Sequence, residues 1–171
     1  MSEEKFSPVN RPAPQGLRRV TSLFLATGAG LGYSPIASGT VGTLWGIVLV
    51  WMFHGVDLSV LEMTMVTLAL CLVAVPVCQD AEAVFARKDD RRIVADEYVT
   101  FPLCMLGLEM SWFTVIVAFL THRIFDIVKL PPARRFQQIS GGSGIVLDDV
   151  AAALYSLLAN HIILWGWKML S

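Results

Sequence analysis

Four long apolar runs constrain what this chain can fold into. They cover residues 41–56, 60–78, 99–120 and 150–167. Each approaches the roughly 20 residues that an α-helix needs to cross a bilayer. The chain as a whole is 55% hydrophobic and only 16% charged, whereas an average soluble domain carries about 25% charged residues. The sequence therefore predicts an all-α protein, a compact helical bundle with several membrane-embedded helices.

The third run is interrupted, because Gly107 and Glu109 lie inside it. We expect two helices here, over residues 93–106 and 111–128, joined by a tight turn. Five segments then cross in alternation, and of the 13 Lys and Arg residues only Lys168 falls on the far side. Such a bias marks the cytoplasmic side of a membrane protein. The alternative is a soluble helical bundle with an unusually apolar core.

The N-terminal region, the net charge and the cysteines limit the possible location, partners and cysteine chemistry of the protein. Residues 1–19 are polar and basic and show no secretory signal, so we expect a disordered cytoplasmic tail there and a single helical domain over residues 20–171. The net charge of −1 gives no indication of a nucleic-acid partner. Cys71, Cys78 and Cys104 lie in apolar runs without metal-binding spacing, so we interpret them as small buried residues.

Asp96 and Glu97 enter an apolar helix together. Adjacent helical residues point about 100° apart, so both carboxylates can face one interior site. Acids in apolar surroundings are costly and are usually paired with a cation, a metal or a proton. The alternative is a pair of acids at a helix start, where the helix dipole favours them.

A charged stripe ends the fourth segment, where Arg123, Asp126 and Lys129 follow one another at steps of three. On a helix such residues occupy about 120° of one face. The stripe is either an internal ion-pair ladder or a phosphate site, in which Arg and Lys bind phosphate oxygens while Asp126 holds a metal or orients a base. Pro131 and Pro132 should then stop the helix.

Asp148 and Asp149 follow a glycine-containing segment, and acids in such a place are commonly helix caps. The predicted topology, however, brings five acids to one membrane face: Asp96, Glu97, Asp126, Asp148 and Asp149. Their mutual repulsion is costly unless a divalent cation or bound protons neutralise it. Oxygen ligands of this kind suit Mg²⁺.

A glycine-rich segment, GAGLGYSPIASGTVG at residues 28–42, precedes the first apolar run. It lacks the Lys-Ser/Thr pair of a P-loop, so nucleotide binding is weakly supported. Its glycines can serve close helix packing or a re-entrant loop. Its hydroxyl groups, together with backbone N–H groups at a helix N-terminus, can instead form a phosphate cradle.

Four ordered motifs resemble the phosphatidylglycerophosphatase A family, including its YutG-like relatives. They are GYSPIASGTVGT, IVADE, HRIFDIVK and GGSGIVLDD, and the likeness runs from about residue 28 to residue 153. The chain departs from the usual family pattern at several positions, among them His122, where the family usually has phenylalanine. None of these departures removes a charged group.

The resemblance implies an all-helical enzyme that uses Mg²⁺ to hydrolyse phosphatidylglycerophosphate to phosphatidylglycerol and phosphate. It implies substrate binding by Gly39, Thr40, Arg123 and Lys129, and metal binding by Asp96, Glu97, Asp148 and Asp149. The expected catalytic set is Asp96, Glu97, Arg123, Asp126, Lys129 and Asp149. Asp126 is open to three roles: base, further ligand or covalent nucleophile.

The same resemblance places the protein in the bacterial inner membrane with its site facing the cytoplasm, beside membrane lipid. The sequence does not indicate an oligomeric state. Two other classes of protein fit the charges, a small transporter and a structural membrane protein with a buried ion-pair cluster. These alternatives predict ion flux or a folding role without phosphate release.

Overall fold

The structure is a computed structural model that describes residues 11–170. All regular structure in this range is helical, which confirms the all-α prediction. Two short 3-10 helices occupy Leu31–Tyr33 and Phe101–Met105. The α-helices are α1 (Gly16–Ala26), α2 (Ser38–Gly55), α3 (Val60–Phe85), α4 (Ala95–Thr100), α5 (Trp112–Val128), α6 (Ala133–Phe136) and α7 (Gly142–Leu170).

Two of the helices in residues 11–170, α3 and α7, are long and apolar enough to cross a membrane. Over its most apolar 18 residues α3 is only 17% buried within the protein, against 56% for α7. Large apolar side chains of α3 such as Leu61 and Leu72 therefore point outward, 71% and 74% exposed. A surface of this kind is stable in lipid and unstable in water, which supports the prediction of membrane-embedded helices.

The predicted helix over residues 93–106 is wrong. The chain forms only the six residues of α4 and continues directly as the 3-10 helix Phe101–Met105. Pro102 explains the change, because proline lacks an N–H group and its ring would collide with the carbonyl of residue 98 in a continuing α-helix. The predicted turn is confirmed: Gly107 adopts a φ of 71°, and the Ser111 hydroxyl caps α5.

Helix α7 begins eight residues before the predicted run, at Gly142. A side chain at Gly142 would collide with the backbone carbonyl of Val75, and one at Gly144 would collide with that of Ile139. These two glycines thus allow a close backbone approach that starts the helix early. Asp148 and Asp149 consequently lie in its second turn, so their interpretation as N-terminal caps is wrong.

Two other boundaries also differ in detail. The double proline stops α5 as expected, but the helix ends at Val128 and Lys129 follows in the left-handed region with a φ of 47°. The stripe therefore does not lie wholly on one helix. The sequence predicts a disordered tail as far as residue 19, whereas α1 already begins at Gly16; residues 1–10 of that tail lie outside the described residues.

Small residues let the helices approach closely around the short α4. Gly42 of α2 packs against Val94, and Gly46 packs against Phe101, so that an added Cβ at either glycine would collide with its neighbour. The predicted role of the glycine-rich segment in helix packing is thus confirmed. The three cysteines are free and buried, as expected.

Aromatic pairs mark the end of the bundle away from the charged residues. The Trp51 and Trp112 rings lie 5.4 Å apart, and those of Phe113 and Trp167 lie 5.2 Å apart. Tryptophan is enriched where membrane proteins leave the bilayer. This end therefore has the composition of a membrane interface, as the sequence predicts for its segment ends.

Asn160 of α7 holds the 3-10 helix in place inside the bundle. Its side chain is fully buried, donates to the carbonyl of Cys104 at 3.0 Å and accepts from the Thr121 hydroxyl at 2.7 Å. The 3-10 helix leaves carbonyl groups without intrahelical partners, and in an apolar interior each unsatisfied group is costly.

We expect Asn160→Leu to lower the free energy of unfolding by about 1–3 kcal/mol, because it strands the Cys104 carbonyl, whereas the Thr121 hydroxyl keeps its bond to Ser156. Thermal unfolding in detergent measures the change. His161→Leu is the matched control, since His161 is exposed and makes one bond of 3.0 Å to the Leu106 carbonyl. An equal loss in both variants would contradict the role given to Asn160.

Candidate active site

The charged residues meet where four helices converge at one end of the bundle. The start of α2, the first turn of α4, the end of α5 and the second turn of α7 contribute to this site. All the predicted acids lie in these segments. Their side chains form two linked groups, one around Arg123 and one around Lys129.

Arg123 joins two acids from different helices. Its Nη1 lies 3.0 Å from Glu97 Oε1 and 3.0 Å from Asp126 Oδ2. The three side chains are between 12% and 16% exposed, so this is a largely buried cluster. Buried charged hydrogen bonds are much stronger than exposed ones. The contact between Arg123 and Asp126 also confirms part of the ion-pair ladder interpretation.

Gly39 forms one wall of this cluster. Its Cα lies against the Glu97 carboxylate so closely that an added Cβ would collide with the carboxylate atoms. Gly39 is thus next to the charged cluster, as the resemblance implies. Thr40 follows at the start of α2 and is half-buried.

Lys129 pairs with Asp148 and does not extend the stripe. Its Nζ lies 2.6 Å from Asp148 Oδ2, and Asp148 itself is buried. Burial alone would lower the pKa of Lys129, but the contact with Asp148 outweighs burial and raises this pKa. The ammonium group therefore stays charged at neutral pH, and Asp148 is the partner that stabilises it.

Burial dominates the titration of the two acids of α4. It raises the pKa of Glu97 to about 7, although the Arg123 guanidinium acts in the opposite direction. It also raises the pKa of Asp96 well above its usual value, with a further increase from the neighbouring Glu97. Both acids lie in the first turn of α4, as the helix-dipole interpretation expects. That interpretation does not explain why both acids are buried.

The site contains more acid than base. Five carboxyl groups surround the two cations, and three buried carboxylate oxygens have no hydrogen-bond partner within the described residues: Asp96 Oδ1, Glu97 Oε2 and Asp149 Oδ2. Asp149 lies within electrostatic range of Asp126 and Asp96. Such oxygens call for a proton or a cation.

These oxygens fit Mg²⁺ by their chemistry. In residues 11–170 no three acid, histidine or cysteine side chains converge closely enough to form a complete metal cage. Mg²⁺ does not need one, because it is usually bound by one or two carboxylates and completes its shell with water and substrate phosphate. Asp96, Glu97 and Asp149 have oxygens available, whereas one oxygen of Asp148 is bound by Lys129.

The start of α2 adds a second kind of anion site. The N-cap residue before this 18-residue helix, Ala37, provides no side-chain cap. Its first N–H groups, those of Ser38, Gly39 and Thr40, therefore point out of the helix without intrahelical partners. Helix N-termini bind phosphate through such N–H groups, and this one adjoins Glu97 and hence Arg123.

Two further titratable residues near the cluster lie outside the predicted site. His122 is fully buried, packs edge-on against Phe101 at 5.8 Å, and neither ring nitrogen has a partner in the described range. Asp89 lies within electrostatic range of Asp96 and Lys129. The departure from the usual phenylalanine signals His122, whereas no pattern distinguishes Asp89 from the charged loop around it.

The geometry can be compared with known proteins. Residues 24–164 match the family described as PgpA: Phosphatidylglycerophosphatase A. The chain belongs to this family. All four motifs and every predicted site residue lie inside the matched range. The resemblance inferred from the motifs is therefore confirmed.

Three curated relatives also have names of lipid phosphatases. The phosphatidylglycerophosphatase A of Haemophilus influenzae is 34% identical over 137 residues, which cover 78% of this chain and 83% of that protein. The Escherichia coli protein of the same name is 30% identical over 147 residues, covering 85% and 84%. A Bacteroides thetaiotaomicron protein named "Putative phosphatidylinositol-3-phosphatase" is 32% identical over 149 residues, covering 84% and 93%.

Membership of the phosphatidylglycerophosphatase A family makes this chain an enzyme of phospholipid metabolism, a phosphatase with membrane helices. The family assignment therefore favours an enzyme over the alternatives of a transporter and a structural membrane protein. No solved structure matches the chain.

Proposed function

We propose that the protein hydrolyses the terminal phosphomonoester of phosphatidylglycerophosphate, giving phosphatidylglycerol and inorganic phosphate, with Mg²⁺ as cofactor. One observation carries the proposal: Arg123 and Lys129 are each tied to a buried acid, and Glu97, the partner of Arg123, keeps one unpartnered carboxylate oxygen and lies against Gly39 at the start of α2. Cations and N–H groups bind a phosphate dianion, and the carboxylates bind the metal. The family relatives support the lipid substrate.

The chain's own residues have separable roles in this proposal. Arg123 and Lys129 bind the phosphate oxygens and neutralise the charge that develops during transfer. The N–H groups at Gly39 and Thr40 bind the remaining oxygens. Asp148 holds Lys129 in place through the 2.6 Å contact.

Asp126 is the acid that we assign to proton transfer. It contacts the same guanidinium nitrogen as Glu97, so it lies beside the atoms that would bind the phosphate. A carboxylate in that position can accept a proton from an attacking water. Its 3.0 Å ion pair with Arg123 also helps to orient the guanidinium group.

Asp96, Glu97 and Asp149 are the residues that would hold Mg²⁺, with Asp148 as a further candidate. When bound, Mg²⁺ supplies a Lewis acid that polarises the phosphoryl oxygens. It would also neutralise the excess of acid at the site. Removal of the metal is therefore expected to abolish turnover.

We further propose that the site faces the cytoplasm at the inner membrane of a bacterium. The basic residues of the site end support this orientation, since Arg18, Arg92, Arg123 and Lys129 form their ion pairs there. Lys168 lies in the last turn of α7, at the other end of that helix. Positive charge concentrates on the cytoplasmic side of membrane proteins.

The test is inorganic phosphate release by purified, detergent-solubilised protein from phosphatidylglycerophosphate, with Mg²⁺ and with EDTA. We expect release that requires the metal and returns when Mg²⁺ is added back in excess. Folded protein that releases no phosphate in either condition would overturn the proposal. Release that persists in EDTA would overturn the metal assignment alone.

A second substrate follows from the Bacteroides relative, whose name is that of a phosphatidylinositol-3-phosphatase. Both lipids present a phosphomonoester at the membrane surface, so the same cations can bind either. The same assay with phosphatidylinositol-3-phosphate distinguishes them. A larger kcat/KM for the inositol lipid than for phosphatidylglycerophosphate would identify the inositol lipid as the preferred substrate.

A further inference from the structure

Helix α1 is bound to α3 through two of its polar side chains. Arg18 donates two hydrogen bonds of 2.7 Å to the Asp80 carboxylate of α3. Ser22, which is 6% exposed, donates to the same carboxylate at 2.9 Å. Three bonds to one carboxylate fix α1 against the final turns of α3.

The opposite side of α1 is apolar and faces outward. Leu17, Val20 and Phe24 are 78%, 64% and 60% exposed. At about 100° per residue their directions fall within about 60° of one another, so they form a continuous stripe. Ala26 and Leu23 of α1 pack into the core as in an ordinary surface helix, so the outward apolar side is additional to the core-facing one. We call the three outward side chains the α1 stripe.

The depth of α1 follows from the helix to which it is bound. Asp80 lies 20 residues after Val60, the first residue of α3, and this length corresponds to about 30 Å of helix. The hydrocarbon core of a bilayer has about that thickness. At the other end of α3, Ser59 and Glu62 form an exposed polar cap. The two polar positions therefore bracket one bilayer, and α1 is bound at its edge.

The helix against which α1 packs exposes large apolar side chains. Leu72 and Val73 of α3 are 74% and 58% exposed and lie two turns before Asp80. The apolar surface of the bundle thus reaches the level of α1 before the ion pair with Arg18 ends it. This continuity favours a bilayer over a second protein copy as the occupant of the α1 stripe.

We infer that α1 is an interfacial helix, which lies at the bilayer surface on the side of the charged site with the α1 stripe inserted among the lipids. Amphipathic helices bury their apolar faces about 5–10 Å into the boundary between head groups and acyl chains. Tyr98 of α4 donates to the Leu25 carbonyl at 2.9 Å, which connects α1 to the helix that carries Asp96 and Glu97. The inference goes beyond the proposed reaction and does not depend on its substrate.

Spin labelling of the full chain tests this inference. Leu17→Cys, Val20→Cys and Phe24→Cys are labelled one at a time, which is feasible because the native cysteines are buried. The proteins are placed in vesicles of phosphatidylethanolamine and phosphatidylglycerol. The accessibility of each label to oxygen, which partitions into lipid, is compared with its accessibility to a water-soluble nickel complex.

Two positions of the same chain serve as references. Leu72→Cys lies on the exposed apolar side of α3, and Glu109→Cys lies in the exposed loop before α5. We expect all three α1 labels to resemble the Leu72 label, with oxygen accessibility severalfold above that of the nickel complex. The unsubstituted protein, treated with the same reagent, controls for labelling of native cysteines.

Two results would overturn the inference. Labels that resemble the Glu109 label would place the α1 stripe in water. Broadened spectra from spin–spin coupling between labels, lost on dilution with unlabelled protein, would identify a second copy of the chain as the occupant. Either outcome is independent of phosphate release, so failure of the proposed reaction and failure of this inference are distinguishable.

Discussion

Asp149→Asn is expected to lower the rate of phosphate release by about 10²–10³-fold or more, the scale seen when a group that stabilises transition-state charge is removed. Asp149 is 2% exposed, and its Oδ2 has no partner within residues 11–170. An ionised carboxylate in such a place is costly, and an amide of the same shape removes that cost. We therefore expect the variant to fold at least as stably as the unaltered chain.

The matched control for this variant is Asp80→Asn. Asp80 is also buried and lies at the same end of the bundle, but Arg18 and Ser22 satisfy its oxygens. This variant should lose stability and keep its turnover per folded molecule. Phosphate release and thermal unfolding, measured on both proteins, check the pair. Turnover retained by Asp149→Asn would remove Asp149 from the active site.

Gly39→Ala should lower turnover by about 10²-fold, the scale expected when a catalytic group moves by about 1 Å. The new methyl group would collide with the Glu97 carboxylate, which lies at the end of a flexible side chain. The carboxylate can therefore move away without displacing the backbone. Its movement breaks the 3.0 Å contact with Arg123 and disturbs the proposed metal ligand.

Two glycines provide controls for this substitution. Gly46→Ala meets the Cβ of Phe101, close to the backbone, so it should lower stability without moving a charged group. Gly166→Ala meets nothing within 4 Å and should change neither property. Steady-state kinetics and thermal unfolding of the three variants separate the effects. Full activity of Gly39→Ala would show that the position of Glu97 does not limit the reaction.

The sequence predicted much of the candidate site because its signals are local. Apolar length locates α2, α3 and α5, and the double proline after residue 130 ends α5 as expected. The order of the four motifs identified the family, and the charged residues of these motifs are the ones that the structure brings together in the site. The boundaries that failed depend on neighbouring elements: Gly142 starts α7 early because the Val75 carbonyl packs against it.

The pairing of charges could not be predicted in the same way. The spacing of Arg123, Asp126 and Lys129 suggests one continuous stripe, but Lys129 leaves the helix and binds Asp148 of α7. The buried position of His122 against Phe101 likewise depends on how the 3-10 helix packs on α5. Helix packing decides which distant residue becomes the partner of a charge. The spacing of residues along the chain does not predict that packing.

By itself the sequence determined that this chain is helical, rich in membrane-compatible segments, and equipped with acids and bases at the ends of those segments. These properties follow from composition and order along the chain, because helix length and charge placement need no knowledge of neighbours. Only the tertiary structure decided which oxygens remain without partners, where Gly39 contacts Glu97, and that α1 faces outward with its apolar side. Those features depend on distances between helices, since burial and ion pairing arise only when the helices pack together.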